Sequence, residues 1–306
     1  MERPGEQKGG LLAYDNTMLK AYQDCPRYFY WRHVQHYKHL GYALPLWFGI
    51  AIHEALDHYY GGKELEDCFQ AFLDIYRPVW EQSDQLDQKR SPEIGLAILG
   101  HYFAFYSRED EPWDVIAIEK GLEIVIGEDL EGRPIHYTMR IDLIVDWKDK
   151  GIVVIDHKST WRITEALLSS VNPARQFVGY YVGAKEMWEN VYGVMANYLM
   201  VAKTTRQCAR SMVMGEQIKW AEWVTETLQI IEQLNRSFDT NTWACRTEYC
   251  LAWNRLCEYH PLCTGRAWPK DYDSIKGRVD PLYRVRVPES EFEIDKWDPF
   301  HFDDQE

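Results

Sequence analysis

A run of β-type segments between residues 113 and 160 constrains the fold more than any other feature of the chain. The segments WDVIAIE, GLEIVIG, IHYTMRIDLIVDW and GIVVIDHKST are rich in β-branched and aromatic residues, and the turn-prone stretches EDLEGRP and KDKG interrupt the series. Short connections of this kind join neighbouring antiparallel strands. The sequence therefore predicts a meander of three or four adjacent strands.

Helical patterns lie on both sides of this meander. Asp15 is a typical N-cap for a first helix, which Pro26 should end or kink. Apolar spacings of three and four residues indicate further helices near 48–60, 64–81, 92–107, 164–189 and 215–236. A strand-like VYGVMANYLMVAK lies between the last two. The order predicts an α/β fold with a central mixed sheet flanked by helices and a helical N-terminal part.

The composition is that of an ordinary globular protein, with 46% hydrophobic and 27% charged residues. No apolar run approaches the roughly 20 residues that span a bilayer, and the first residues, MERPGEQKGG, lack the apolar core of a secretory signal. We therefore expect a cytoplasmic protein with no membrane partner. In that compartment the seven cysteines are expected to be thiols or metal ligands, although Cys68 and Cys208 could simply be buried.

The formal net charge of −14 argues against a broad nucleic-acid surface, because phosphate contacts by Lys and Arg normally dominate such binding. A metal-binding acidic pocket and the acidic C-terminal tail account for much of the excess. Basic residues such as Arg162, Lys203 and Arg210 could contact phosphates, with scattered surface positions as the alternative.

Two acidic residues stand in apolar strands, where a lone carboxylate would be costly to bury without a cation or hydrogen bonds. Asp142 lies inside RIDLIVDW and Asp156 follows IVVI, whereas either one alone could be a surface residue or a turn cap. Lys158 lies two residues beyond Asp156 and so on the same face of its strand. This group predicts a divalent-cation site suited to phosphodiester hydrolysis, because Mg²⁺ or Mn²⁺ can activate water and Lys158 can stabilise developing charge.

Four cysteines occur within nineteen residues near the C-terminus: Cys245, Cys250, Cys257 and Cys263. This density predicts a bound metal centre, and tetrahedral zinc is one interpretation.

The spacing of the acidic residues and the lysine resembles a known signature. Asp142, followed after thirteen residues by Asp156-His157-Lys158, resembles the motif of the PD-(D/E)XK nuclease superfamily, and the order of elements resembles its αβββαβ core. The RecB-like branch adds a histidine on an upstream helix and a downstream Q-x-x-x-Y. His53, and Gln176 with Tyr180, stand in those places, and the similarity covers roughly residues 15–263.

The resemblance implies a role for each of these residues. The implied metal ligands are the side chains of His53, Asp142 and Asp156 and the main-chain carbonyl of His157. Lys158 would be catalytic, and Gln176 and Tyr180 would hold DNA or support Lys158. Glu119, in VIAIEK, is a further candidate for an acidic residue often found on the first strand of the core.

Cys25, in CPRYFYW, resembles the first cluster ligand of the iron–sulfur members of this branch, which include AddAB nuclease domains and CRISPR-associated adaptation nucleases. In those proteins one N-terminal and three C-terminal cysteines hold a [4Fe–4S] cluster. The resemblance implies Cys25, Cys250, Cys257 and Cys263 as ligands here, with Cys245 as a substitute for Cys250 and zinc as the alternative metal.

The resemblance implies a metal-dependent DNA exonuclease that acts on single strands in recombination or repair, for a phage or another mobile element, with a helicase or recombination protein as partner. A structure-specific endonuclease and a non-catalytic DNA-binding or assembly module are the alternatives. The expected organisation is a flexible N-terminus (1–14), a nuclease domain (15–240), a cysteine-rich segment closing onto Cys25 (241–263) and a C-terminal arm (264–306).

Overall fold

The computed structural model describes residues 12–38, 43–129, 131–172, 174–252, 255–266 and 273–274. The chain divides into unit 1 (1–40, 123–138 and 224–306) and unit 2 (41–122 and 139–223). This partition by contacts differs from the consecutive segments expected from the sequence. Of those segments, residues 1–11 of the N-terminus and nearly all of the C-terminal arm lie outside the described residues.

The α-helices in the described residues are α1 (Asn16–Asp24), α2 (Pro26–Phe29), α3 (Leu44–Tyr60), α4 (Leu65–Glu81), α5 (Pro92–Phe105), α6 (Glu165–Ser169), α7 (Arg175–Met187), α8 (Trp220–Thr240) and α9 (His260–Cys263). A π-helical turn (Tyr30–Val34) and two short 3₁₀ helices (Gly215–Gln217 and Thr247–Cys250) accompany them. The strands are β1 (Leu12–Tyr14), β2 (Tyr37–Lys38), β3 (Trp113–Glu128), β4 (Pro134–Trp147), β5 (Gly151–Thr160), β6 (Val191–Met200), β7 (Cys208–Met214), β8 (Leu251–Ala252), β9 (Arg255–Leu256) and β10 (Asp273–Ser274). None of the described helices combines the length and apolarity needed to cross a bilayer.

The sheet of unit 2 is mixed. Strand β4 is antiparallel to β5, β5 is parallel to β6, and β6 is antiparallel to β7, while β3 pairs with β4. The parallel β5–β6 pair requires a crossover, and α6 and α7 supply it. The predicted α/β class with a central mixed sheet flanked by helices is confirmed.

Helices α3, α4 and α5 cover one face of this sheet. Their aromatic residues, including Phe48, Phe72 and Tyr102, are fully buried in one apolar cluster with Val153 of β5 and Leu143 of β4. Helix α7 contacts β5 and β6 as well. Both faces of the central strands are therefore covered, which explains why β5 reads as an almost continuous apolar run.

In unit 1 the chain starts as the local sequence predicts. The carboxylate of Asp15 caps α1 by accepting a hydrogen bond of 2.8 Å from the Met18 amide. Helix α1 ends at Asp24, and Pro26 is the first residue of α2. Residues 12–14, assigned from the sequence to the N-terminal segment, form β1, which pairs in parallel with β4.

Two expectations about the elements differ from the structure. The helix expected over 164–189 is two helices, α6 and α7, and the sequence between them contains Asn172-Pro173, a combination that disfavours helix. Strand β7 has no counterpart in the sequence prediction. Its sequence CARSMVM has the polar residues Arg210 and Ser211 next to each other in the middle, and these interrupt the alternation of apolar and polar residues that predicts a strand.

Candidate active site

The site begins where β4 and β5 stop pairing with each other. The last paired positions are Leu143 and Ile155, and the next residue outward on each strand is an aspartate, Asp142 or Asp156. Both carboxylates are buried, with 8% and 2% of the residue exposed. Burial of two anions side by side requires compensating charge or hydrogen bonds. The groups around them supply part of it.

One cluster of donors surrounds Asp142. The ligand atoms of His53 on α3, Glu119 on β3 and Asp142 all lie within 4.8 Å of one another. His53 Nδ1 lies 3.4 Å from Asp142 Oδ2. Among the described residues, this is the group of histidine, cysteine and acidic side chains that could hold a metal ion. An imidazole with two carboxylates suits a hard divalent cation.

A second cluster surrounds Asp156. Lys158 Nζ lies 2.7 Å from Asp156 Oδ2 and donates a 3.1 Å hydrogen bond to Gln176 Oε1. Tyr180 donates to Asp156 Oδ1 at 3.1 Å, and Gln176 Nε2 donates to Tyr180 Oη at 2.7 Å. Gln176 and Tyr180 lie one turn apart on α7 and so reach the same strand face. The structure thus brings all four residues into one network.

The peptide between the two clusters connects them. The main-chain N–H of His157 donates a 2.7 Å hydrogen bond to Asp142 Oδ2, so the residue after Asp156 contacts the other aspartate directly. The metal-ligand role of the His157 carbonyl stays a prediction. So does coordination by Asp156. Its Oδ2 lies 2.7 Å from the Lys158 ammonium, so a metal ion bound at this oxygen would share it with that side chain.

The electrostatics of the site are those of an anionic cavity. Burial raises the pKa of Asp156, with the charge of Asp142 adding to it. Burial also raises the pKa of Glu119, again with a contribution from Asp142. For Asp142, burial is outweighed by the charge and hydrogen bond of His53, and its pKa is lowered. Two carboxyls with raised pKa values beside a charged one are expected where a cation binds.

The pKa of His53 shifts in the direction opposite to that of Asp142. Burial acts to lower its pKa, but the Asp142 carboxylate raises the pKa of His53 to about 9. The imidazolium therefore occupies the place of the positive charge that the acids require. A metal ion must displace that proton to use the ring as a ligand.

Two contributors to this site have no counterpart in the sequence prediction. Asp57 lies one turn after His53 on α3, and burial together with Glu119 and Asp142 raises its pKa to about 9. Arg140 on β4 forms an ion pair with Glu119. Asp57 could have been inferred from the sequence, because its spacing of four residues from His53 places both side chains on one face of a helix. Nothing in the sequence distinguished Arg140 from a surface arginine.

Glu119 reaches the site from an irregular point of its strand. Its φ is +50°, the left-handed region that non-glycine residues rarely occupy, and it lies in the middle of β3. Such conformations cost of order 1–3 kcal/mol and persist where the surroundings enforce them. The alternation that would place residue 119 from the sequence is therefore broken at this position.

Unit 1 holds the candidate cysteines. Cys25 is buried, and its Sγ lies 3.4 Å from the Arg246 amide. Burial raises the pKa of Cys245, with contributions from Cys25 and Cys250, and raises the pKa of Cys257 to about 11, with contributions from Cys263 and Cys25. The hydrogen bond at Cys25 Sγ places this residue beside the segment that carries the C-terminal cysteines. The role of this segment in binding a cluster, and its ligand set, stay predictions.

Comparison with known proteins decides the family. A family model described as the PD-(D/E)XK nuclease superfamily matches residues 16–264. The chain belongs to this superfamily. PD-(D/E)XK nucleases use divalent metal ions, and the family implies DNA as the substrate.

Solved structures show more distant likenesses to this PD-(D/E)XK protein. One is the crystal structure of a "Putative exonuclease" from Eubacterium rectale, whose sequence is 11% identical to this chain. The superposition covers 84% of this chain and 88% of the other chain, with a TM-score of 0.47. The protein SSO0001 is 13% identical, covers 82% of this chain and 96% of its own, and has a TM-score of 0.32. A search of curated protein sequences found no significant match. The assignment to the PD-(D/E)XK superfamily rests on the family model.

Proposed function

We propose that this chain is a Mg²⁺- or Mn²⁺-dependent DNA exonuclease that acts on single strands in recombination or repair, in the cytoplasm of a cell that hosts a phage or mobile element. One observation carries the catalytic part of the proposal. The candidate ligand atoms of His53, Glu119 and Asp142 lie within 4.8 Å of one another. Asp142 also accepts a hydrogen bond from the main-chain N–H of His157, the residue that follows Asp156. The resemblance also implies the Asp156 carboxylate and the His157 main-chain carbonyl as ligands.

The donors present fit a divalent ion. His53, Glu119 and Asp142 would hold it, with the Asp156 carboxylate adjacent. When bound, such an ion lowers the pKa of water and offsets negative charge on phosphorus oxygens. The raised pKa values of Glu119 and Asp156 point the same way, since a cation favours the ionised form of each carboxyl.

The remaining residues position and complement the reacting phosphate. The Lys158 side chain is about one-third exposed, at 35%, so its ammonium can reach a bound phosphodiester while resting against Asp156. Gln176 and Tyr180 hold Asp156 from the α7 side and leave it little freedom to rotate. A preorganised ammonium of this kind stabilises charge that develops in the transition state.

The preference for single strands has a structural support near the end of β5. Trp161 is 70% exposed and directly follows β5, three residues after Lys158 in the sequence. Arg162 beside it is also exposed. Exposed aromatic rings next to a cationic side chain provide stacking surfaces for unpaired bases.

Labelled linear and circular single strands, incubated with Mn²⁺ or Mg²⁺, test the proposal directly. We expect stepwise degradation of linear DNA, no cutting of circles, and no reaction with EDTA or with Asp156→Ala. Cutting of circles would make the chain an endonuclease. Absence of any metal-dependent cleavage by the wild type would indicate a binding or assembly module.

We further propose that the cysteines of unit 1 hold a [4Fe–4S] cluster through Cys25, Cys257 and Cys263 together with Cys250 or Cys245. Four thiolates are the usual donor set for such a cluster, and the 3.4 Å hydrogen bond from the Arg246 amide to Cys25 Sγ supports a site that includes Cys25 and the C-terminal cysteines. The thiol pKa values raised by burial are consistent with a site that needs a cationic centre, since a metal favours the thiolate. A cluster here would join the segment of Cys25 to the 245–263 segment of the same unit.

Metal analysis of protein purified without added metal checks this proposal. We expect a brown protein with four irons and four labile sulfides per chain, as the cluster formula requires. Cys25→Ser should lose both and melt at a lower temperature, whereas Cys68→Ser, a buried cysteine of unit 2, should retain them. Stoichiometric zinc without iron would contradict the iron–sulfur assignment.

A further inference from the structure

Behind the catalytic strand, polar side chains form a row across three strands of unit 2. His157 on β5 is paired with Asn197 on β6, and Asn197 is paired with Arg210 on β7. Asn197 Nδ2 lies 2.7 Å from His157 Nδ1, and Arg210 Nε donates to Asn197 Oδ1 at 3.4 Å. We refer to His157, Asn197 and Arg210 as the polar row. Paired positions present their side chains on the same face, so the row follows from register.

The far end of the row is anchored by a buried ion pair. Arg210 Nη1 donates to Glu111 Oε2 at 2.9 Å, and the two side chains are only 14% and 7% exposed. The guanidinium also lies 3.6 Å from the ring centre of Tyr106 and 4.8 Å from that of Trp113. Arg210 is thus held in one position, and the expectation that it contacts phosphates is wrong.

Two tyrosines connect the row to the helices above it. Asn197 Nδ2 donates to Tyr102 Oη at 2.6 Å, and the Tyr60 ring stacks on His157 with centres 5.7 Å apart. Because Asn197 Oδ1 faces Arg210, its amide N–H groups face His157 and Tyr102. Asn197 therefore donates to both, and His157 Nδ1 is an acceptor on a neutral ring.

The near end of the row leads directly into the site. The main-chain N–H of His157 donates to Asp142 Oδ2, and Asp142 belongs to the group that could hold the metal. The side chain of His157 points away from those of Asp156 and Lys158, because neighbouring residues on a strand face opposite sides. The side chains of the polar row therefore lie on the opposite face of β5 from Asp156 and Lys158. They can act on the site through the backbone between the two acids and through the His157 ring, whose centre lies 6.0 Å from that of His53.

Stability alone does not explain such a row. A buried ion pair seldom stabilises a fold more than apolar residues of the same size would, because desolvation of two charges offsets their attraction. Groups that orient metal ligands through hydrogen bonds commonly affect metal affinity or activity by about 10–100-fold when removed. We infer that Asn197, held by Arg210 and Glu111, is a positioning residue that fixes His157 and thereby the Asp142 oxygen at the metal site. This inference rests on the proposed metal-dependent function.

Mn²⁺ binding to the protein without DNA, measured by calorimetry, separates positioning from packing. Asn197→Ala is expected to weaken Mn²⁺ binding by about tenfold or more. Phe72→Leu, a change in the same buried cluster outside the row, is the matched control and should lower the melting temperature while leaving Mn²⁺ affinity unchanged. Both variants are measured well below their melting temperatures.

Should Asn197→Ala fail to fold, Tyr102→Phe removes the hydroxyl that accepts a hydrogen bond from Asn197 and is expected to weaken Mn²⁺ binding to a smaller, measurable degree. Wild-type Mn²⁺ affinity in Asn197→Ala or Tyr102→Phe, with reduced melting temperature only, would overturn the inference. A wild-type protein that binds no Mn²⁺ would overturn the proposed function itself, a result that the wild-type titration alone reveals.

Discussion

Asp142→Asn is expected to lower the rate of metal-dependent DNA cleavage by at least about 10³-fold, because several kcal/mol of metal-derived stabilisation are lost and each 1.4 kcal/mol is tenfold in rate. The substitution keeps the size of the side chain but removes the carboxylate charge beside His53 and Glu119, the other two candidate metal ligands. It also weakens the acceptor for the His157 amide. Single-turnover cleavage at saturating Mn²⁺, with Mn²⁺ affinity measured in parallel, checks this result.

Asp146→Asn is the matched control for that experiment. Asp146 lies on the same strand, four residues further along, and is exposed to solvent. It should cleave at the wild-type rate. If Asp142→Asn retained activity within about tenfold of wild type, a difference of only about 1.4 kcal/mol, the metal would have to be held by other residues.

Lys158→Met is expected to reduce kcat by about 10²–10³-fold, the range found when one preorganised donor to developing charge is removed. Methionine retains the apolar stem of lysine and removes only the ammonium, which lies 2.7 Å from Asp156. Unlike Asp142→Asn, this variant should still bind Mn²⁺. Steady-state kinetics on a single-stranded substrate, together with Mn²⁺ titration, distinguish the two effects.

Lys89→Met, at an exposed lysine in the loop between α4 and α5, controls for the loss of one positive charge and should leave kcat unchanged. A rise in KM without a fall in kcat for Lys158→Met would count against the catalytic role, since that pattern marks uniform substrate binding. Lys158 would then be a DNA contact.

Much of the fold could be predicted because its signals are local. The cap at Asp15, the end of α1 before Pro26 and the periodicity of α3 depend on neighbours within a few residues, and the structure agrees with each. Strand β7 could not be predicted in this way. Arg210 in its centre is tolerated only because Glu111, about 100 residues earlier in the sequence, supplies the opposite charge.

In the candidate active site, too, some residues could be predicted from local sequence signals and others depend on distant parts of the chain. The motif placed Asp142, Asp156 and Lys158 near one another, and the one-turn spacing on α7 placed Gln176 and Tyr180 on one side. The resemblance offered Glu119 only as a further candidate, and it did not indicate that this carboxylate would lie beside His53 and Asp142. An unusual backbone angle in β3 and an ion pair with Arg140 accompany that arrangement, and neither has a sequence signature.

By itself, the sequence predicted the type of chemistry, because two carboxylates and a lysine at the ends of apolar strands suit a cation beside an anionic substrate and stand in the spacing of the PD-(D/E)XK motif. Only the tertiary structure decided how the acids divide between two networks, one around His53 and Glu119 and the other around Lys158, Gln176 and Tyr180. The reason is physical. Which oxygen faces which donor depends on strand register and on helices that pack from distant parts of the chain, and side-chain identity alone carries neither.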